Sequence, residues 1–270
     1  MHELKDRDTW RLSDLFEDLR YNLLVDSIIA GNTPAWVYVD DVSDPRTGWM
    51  WNRMDTMLLA GRTDNRAFNE ALSALLTERV IPDARGRRVP SLTLHYSPDA
   101  WEDEVDRLLP DMEPRVAWRR FYEFDRLKVD WREACPADCD VRCIDEALLE
   151  NERLRNVERV VGWVLSFWRG IEAFTETGFG FCVVHGEAVA SWCLTVYASG
   201  GDVELGLATV PDYRSRGYAT LAAAACVEHG VERTITPHWH CDEENLPSIR
   251  VAEKVGFSNP TRYKVYTFAL

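Results

Sequence analysis

No long apolar run interrupts this sequence of 270 residues. Its most apolar stretch, Tyr218 to Val227, is about half the length of a bilayer-spanning helix. The opening MHELKDRDTW lacks the apolar segment of a secretory leader, so a cytoplasmic chain with no membrane partner is expected. Glycine and proline, 15 and 12 residues, stay near ordinary usage, which excludes collagen-like and low-complexity chains. Basic residues are scarce: 31 Lys and Arg face 45 Asp and Glu, a net charge of −14. The deficit is spread over both halves and forms no tail. Such a surface repels a phosphate backbone and favours cationic small molecules, so no nucleic-acid partner is expected. Acidity is equally a plain route to solubility. The seven cysteines are odd in number, and an intracellular chain of this size needs no disulfide framework.

The sequence has ample material for a core, being 46% hydrophobic and 11% aromatic. Helical spacing of Leu12, Leu15, Phe16, Leu19, Leu23 and Leu24 predicts one helix over 8–30, stopped by Gly31-Asn32. Strands are expected over 35–39, 49–59, 89–96 and 115–124, with helices over 66–80 and 100–109. Residues 125–140 read as a connection. Beyond it come a strand over 140–144, helices over 145–155 and 157–168, and a hairpin of 178–184 with 188–197 around His185-Gly186-Glu187. A strand over 203–210, an Ala-rich helix over 215–228, a strand over 234–239, a helix over 246–255 and a closing strand over 261–268 follow. The two halves share an order of elements, so the first reads as a degenerate copy of the second. Trp10, Trp36, Trp49, Trp51, Trp101, Trp118 and Trp131 are assigned to core packing.

Two segments invite a metal reading. Cys135-x3-Cys139-x3-Cys143 lacks a second ligand pair, and Pro136 breaks the helix that would stack its thiols. His238-Trp-His240-Cys241-Asp242 places two imidazoles on one strand face, yet it leads directly into the 246–255 helix. No metal is expected at either.

The segment Val203–Thr220 carries the strongest chemical signal. A strand enters a proline-broken loop and then a helix whose start holds Arg214, Arg216 and Gly217. Unpaired N–H groups of a first helical turn, glycine for close approach and two arginines make an anion cradle in an otherwise acidic chain.

Arg214-x-x-Gly217-x-Ala219 resembles motif A of the GNAT superfamily of acyl-CoA N-acyltransferases. Asn245-Leu-Pro-Ser248-Ile-Arg-Val-Ala252-Glu-Lys254-Val-Gly256-Phe257 is similar to that family's downstream element. Gly178-Phe-Gly-Phe-Cys182, Glu204-Leu-Gly-Leu-Ala-Thr209, Pro237-His-Trp239 and Tyr263-Lys-Val-Tyr266 further resemble the branch of zwittermicin A resistance acetyltransferases. The likeness covers roughly residues 140–270. It implies an α/β chain: a GNAT acetyl-CoA-binding domain over 135–270, with a mixed, twisted sheet flanked by helices. A smaller α/β domain over 1–134, substrate-side or structural, would precede it.

The resemblance implies acetyl-CoA as cosubstrate and a small-molecule amine as acceptor, with a homodimer compatible with either. Ala208, Thr209 and Val210 would meet the pantetheine. Arg214, Ser215, Arg216, Gly217, Tyr218, Ala219 and Thr220 would hold the pyrophosphate, and Asn245 and Ser248 would contact the cofactor from the later helix. Glu204 is the candidate general base. A tyrosine common in the Asn-led helix is replaced by Ala252, so a proton donor would come from Tyr263, Tyr266, Cys241 or His240. A non-catalytic acyl-CoA sensor or scaffold is the alternative.

Overall fold

The computed structural model describes Met1–Leu270, apart from the side chains of Asp6 and Arg7. Its strands are β1 (His2–Glu3), β2 (Trp36–Val39), β3 (Thr47–Trp51), β4 (Thr56–Gly61), β5 (Ser91–Ser97), β6 (Arg115–Phe124), β7 (Cys139–Cys143), β8 (Gly180–His185), β9 (Ala188–Ser199), β10 (Asp202–Thr209), β11 (Thr236–Asp242) and β12 (Phe257–Ala269). The chain divides into two compact units, Met1–Trp118 with Lys264–Leu270, and Arg119–Tyr263.

In the first unit β1, β2, β3 and β4 pair antiparallel in sequence, β4 and β5 pair parallel, and the end of β12 closes the sheet antiparallel to β5. In the second, β7, β8, β9 and β10 pair antiparallel, β10 and β11 pair parallel, and the end of β6 closes it antiparallel to β11. A parallel pair needs a crossover. The helical run from Arg66 to Gly86 supplies it in the first unit, and the helix Tyr218–Glu232 in the second. Both units thus follow one pairing scheme, as expected of a degenerate repeat.

The unit boundary differs from the division at 134/135. Arg119–Phe124 joins the second unit and Lys264–Leu270 the first. Strand pairing is non-local, and no turn or composition signal near residue 134 carries it.

Three local readings also change. The expected helix over 8–30 is two 3₁₀ segments, Asp6–Leu12 and Glu17–Leu19, followed by the helix Leu24–Ile29. The apolar run 49–59 is not one strand but a hairpin. Asn52 Oδ1 accepts the N–H groups of Met54 and Thr56, and Arg53 takes a positive φ. The helix over 145–155 shortens to Glu146–Leu149, and a helix at Ile171–Thr177 had no clear periodic signal.

Burial follows composition. β9 reads AVASWCLTVYAS and is buried along all but its last residue, as a strand covered on both faces must be. The Ala-rich helix Tyr218–Glu232 is buried around most of its circumference from Leu221 to Val227. Of the tryptophans assigned to the core, Trp49, Trp51 and Trp101 are fully buried, whereas Trp10 is 61% exposed.

β12 is tied into the first unit by charge. Glu102 accepts hydrogen bonds from Lys264 Nζ and, at 2.7 Å, from Tyr96 Oη. The ammonium holds Glu102 below its usual 4.5, and the carboxylate in turn raises Lys264 above 10.5. A lowered carboxylate stabilises the fold above its unfolded pKa and loses that contribution as pH falls through the folded value. A raised lysine does the reverse at the alkaline end. The melting-temperature difference between wild type and Lys264→Met should therefore be flat between about pH 6 and 9 and shrink in acid. A difference that persists undiminished well below the range where carboxylates titrate would remove this account.

Candidate functional site

The site begins where two parallel strands part. β10 and β11 are paired at Asp202, Val203 and Glu204, opposite Thr236, Pro237 and His238. After that β11 continues against β6 instead, from Trp239 to Asp242. The other side of β10 stays paired with β9 as far as Thr209. A strand edge with no strand beside it therefore opens immediately after Glu204.

Strand alternation fixes which backbone groups face that opening. Val210 N–H donates to Ala190 O at 3.0 Å, so Val210 points toward β9. The same register pairs Ala208 with Trp192 and Gly206 with Leu194, and puts them on the β9 side as well. The outward N–H and C=O groups belong to Leu205, Leu207 and Thr209. Arg214 Nε donating to Thr209 O, at 3.4 Å, agrees with this direction. Of the three backbone contacts expected at Ala208, Thr209 and Val210, Thr209 keeps the right orientation. Ala208 and Val210 yield to their neighbours because a one-residue step on a strand reverses its hydrogen-bonding side.

The edge leads through the exposed turn Pro211–Gly217 into the helix Tyr218–Glu232. No side chain caps this helix. Its neighbour Leu246–Val255 is capped by Asn245, whose Oδ1 accepts the Ser248 N–H. Gly217 sits at φ +82°, and a Cβ built there would meet no atom within 4 Å. Ser215 also has positive φ. Arg216 donates to Asp212 O and lies over the Tyr213 ring. The residues thus fit a phosphate group: uncapped N–H donors at a helix start, open space above glycine, and two exposed arginines.

Asn245 and Ser248 serve the protein itself. Asn245 is the cap, and Ser248 Oγ accepts the Trp239 indole N–H at 3.1 Å. Ala252 is fully buried, so that helix face looks into the core. Gly256 follows at φ +131°, and its carbonyl accepts the Asp125 N–H.

Glu204 is 9% exposed and lies opposite Tyr197 on β9 and His238 on β11. Directly paired residues share a face. The register shift beside Glu204 inserts an extra residue, Val196, into β9 and brings Tyr197 onto this face with Trp192. The helix Val157–Phe167 covers the face with half-buried aromatics. Trp163 stands edge-on to Trp192 at 5.8 Å, Phe167 edge-on to Tyr197 at 5.8 Å, and Trp163 lies close above Gly206.

On the β11 side, Phe121 stacks on His240 at 4.8 Å and contacts His238. Tyr263 Oη lies 3.0 Å from His240 Nδ1 and accepts from Arg119 Nε at 3.1 Å. Arg119 is held in turn by Asp242 at 2.6 Å. Burial pushes the Tyr263 phenol up to about 12, against the opposing pull of Arg119 and reinforced by Glu204. It is a neutral hydrogen-bond donor at physiological pH.

Glu204, Tyr263 and His240 therefore belong to one unit. Tyr266 belongs to the first unit, where it pairs with Leu94 and packs on Tyr96. Cys241 is buried near Ser248, away from the His240 face. Arg119, Phe121, Trp163 and Tyr197 were not singled out by sequence. Only the i, i+2 spacing of Arg119 and Phe121 inside a predicted strand hinted at a shared face.

Among the described residues, the first unit shows no such opening. Its parallel pair stays zipped from Thr56 to Ala60, and Leu58 takes the register position of Glu204. Asn65 caps its helix, and Asp64 there is paired with Arg62. A cleft of 620 Å³ lies at the same helix, but its Arg66–Glu70 and Arg107–Glu104 charges are mutually paired.

The family profile described as GNAT acetyltransferase matches residues 13–266. A Bacillus subtilis protein named uncharacterized N-acetyltransferase YdfB is 26% identical over 266 residues, 98% of each chain. The crystal structure of a GCN5-related N-acetyltransferase-like protein from Streptococcus suis superposes with a TM-score of 0.72 at 21% identity, covering 97% of this chain and 98% of that one. A tandem GNAT protein from the clavulanic acid biosynthesis pathway gives 0.59 at 14% identity, covering 98% and 96%. An open strand edge, an uncapped helix after it and a profile match over nearly the whole length converge: the chain belongs to the GNAT acetyltransferases and is an acyltransferase built on a two-unit GNAT arrangement.

Proposed function

We propose that the second unit transfers an acetyl group from acetyl-CoA to the primary amine of a small cationic molecule. The observation that carries this reading is the opening of the β10 edge directly after the buried Glu204. Donor and base then sit on consecutive residues of one strand. Acetyl-CoA supplies an activated thioester, on which the amine acts directly.

The chain's own groups divide the work. Outward amides of Leu205, Leu207 and Thr209 would hold the pantetheine arm, and one of them would donate to the thioester oxygen as negative charge develops there. The turn from Arg214 to Thr220 would hold the pyrophosphate, with Asn245 and Ser248 contributing structure to the neighbouring helix. Glu204 takes the proton of the acceptor amine, directly or through water. Tyr263 acts as a hydrogen-bond donor and not as a full acid. Its proton, at about 12, would move to a thiolate near 8.5 only at a cost of about 5 kcal/mol, so the thiolate leaves unprotonated.

The surroundings of Glu204 support this acceptor class. A carboxylate beside Tyr197 and Trp192, with Trp163 and Phe167 above, suits an ammonium group next to apolar surface. Polyamines, aminoglycosides and aminopolyol antibiotics all present such a group, and the cytoplasm is the proposed compartment. Thiol release from acetyl-CoA across an amine library tests the activity. Turnover should appear with cationic primary amines and not with their N-acetylated forms, and no turnover with any amine would leave the sensor reading in its place.

One site per chain is a separate expected result. Calorimetric titration should give about one acetyl-CoA per chain, because the first unit has a zipped strand pair, Leu58 and a capped helix. A stoichiometry near two would show that the first unit binds the cosubstrate without those features.

A further inference from the structure

A second group of reactive side chains lies at the β7 edge of the second unit. Cys139 opens β7 and pairs with His185, the last residue of β8. The preceding loop folds back on itself: Cys139 N–H donates to Pro136 O at 3.0 Å, and the Cys135 thiol lies 3.5 Å from Cys139 O. Asp138 then faces both partners. Its Oδ2 is 3.1 Å from His185 Nε2, and its Oδ1 is 3.7 Å from Cys139 Sγ.

One thiol, one imidazole and one carboxylate thus have their donor atoms within 4.8 Å of one another. An ion pair between His185 and Asp138 accounts for two of the three. The third, a thiol only 8% exposed, donates to the other oxygen of the same carboxylate. Zinc–sulfur and zinc–nitrogen bonds near 2.3 and 2.0 Å place tetrahedral ligand atoms about 3.4–3.6 Å apart, so a contraction of roughly 1 Å closes the set. Asp138 is exposed and leaves the group reachable from solvent.

We infer that Asp138, Cys139 and His185 bind a borderline-soft divalent cation of the zinc class, with water or the Cys135 thiol completing four ligands. Sulfur and imidazole donors select against magnesium and calcium. Binding replaces the Cys139 S–H bond by a metal–sulfur bond and releases that proton to solvent; nothing is oxidised or reduced.

The site touches the helix that follows the proposed phosphate loop. The Cys139 thiol shares a hydrogen bond with the Tyr218 hydroxyl, and the His185 ring lies 5.6 Å from Tyr213 and 6.1 Å from Tyr218. Metal binding withdraws the thiol from Tyr218, so occupancy should alter acetyl-CoA affinity. This second part rests on the proposed cofactor site, whereas metal binding itself does not.

Cobalt(II) titrated into the metal-free full-length protein reads the site without any activity assay. Thiolate-to-cobalt charge-transfer absorption should appear with one equivalent, with about one proton released, and zinc should erase it. Cys139→Ser should abolish that absorption. His185→Ala and Asp138→Asn should weaken binding about tenfold or more, since loss of even an outer-shell partner commonly costs that much. Asp138→Asn changes an exposed loop residue, so its result stands if another variant fails to fold. No charge-transfer band in the wild type at millimolar cobalt, or a band unchanged in Cys139→Ser or Asp138→Asn, overturns the site. Acetyl-CoA affinity identical with and without zinc overturns the coupling to Tyr218.

Discussion

Replacing Glu204 by Gln should lower kcat by about 10²–10⁴-fold while leaving acetyl-CoA affinity within about threefold. The two side chains have nearly the same shape, so Gln fills the same space opposite Tyr197 and His238. What changes is the ability to accept a proton at the head of the open strand edge. Affinity should be spared because the proposed cosubstrate contacts are the backbone groups beyond Glu204 and the helix start, neither of which contains this carboxylate. Tyr263→Phe offers the internal comparison. It removes a hydrogen-bond donor and not a base, so its loss should be nearer tenfold. It also leaves Arg119 and His240 to reorganise, since both bond the phenol oxygen. If Glu204→Gln retains more than about a tenth of the rate, another group or bulk water takes the amine proton, and Glu204 is a structural carboxylate.

Arg214→Glu and Gly217→Asp should each weaken acetyl-CoA binding by about a hundredfold or more. Arg214 is exposed, so reversing its charge costs the fold little and replaces attraction for a phosphate by repulsion. At Gly217 two effects combine. Its φ of +82° disfavours any side chain, and a Cβ would enter the open space proposed for a phosphate. Gly217→Ala separates them: it carries the backbone cost without the charge, and should fall between wild type and Gly217→Asp. Melting temperatures measured without ligand control for general damage. Unchanged affinity in both charged variants would mean that acetyl-CoA is held elsewhere and that the uncapped helix start serves another anion.

The strand-to-helix passage through Glu204, Arg214 and Gly217 was legible because its determinants are local. A proline-broken turn, a glycine that structure places at positive φ and an Ala-rich helix all act within about fifteen residues, and the Asn245-to-Phe257 element likewise. What stayed hidden depends on distant pairing. Arg119 and Phe121 reach the His238–His240 face only because β6 pairs with β11, more than a hundred residues later. The outward side of β10 could not be read either. Alternation says that Leu205, Leu207 and Thr209 share a direction, but only the Val210–Ala190 hydrogen bond says which direction it is. Tyr266 and Tyr263 were both expected to reach the site from neighbouring elements, and the unit boundary falls between them. The hairpin at Asn52 was missed because Trp49–Leu59 is apolar on both sides of its turn, and the side-chain hydrogen bonds that make the turn come from one asparagine.

The exchange of closing strands dictates an order of events during synthesis. The first unit is encoded almost entirely at the start of the chain, but β5 keeps a bare edge until Lys264–Leu270 emerges from the ribosome. Such an edge is a template for foreign strands while it waits. The unit begun first is therefore finished late, and a chain interrupted before Lys264 leaves the β5 edge of that unit uncovered.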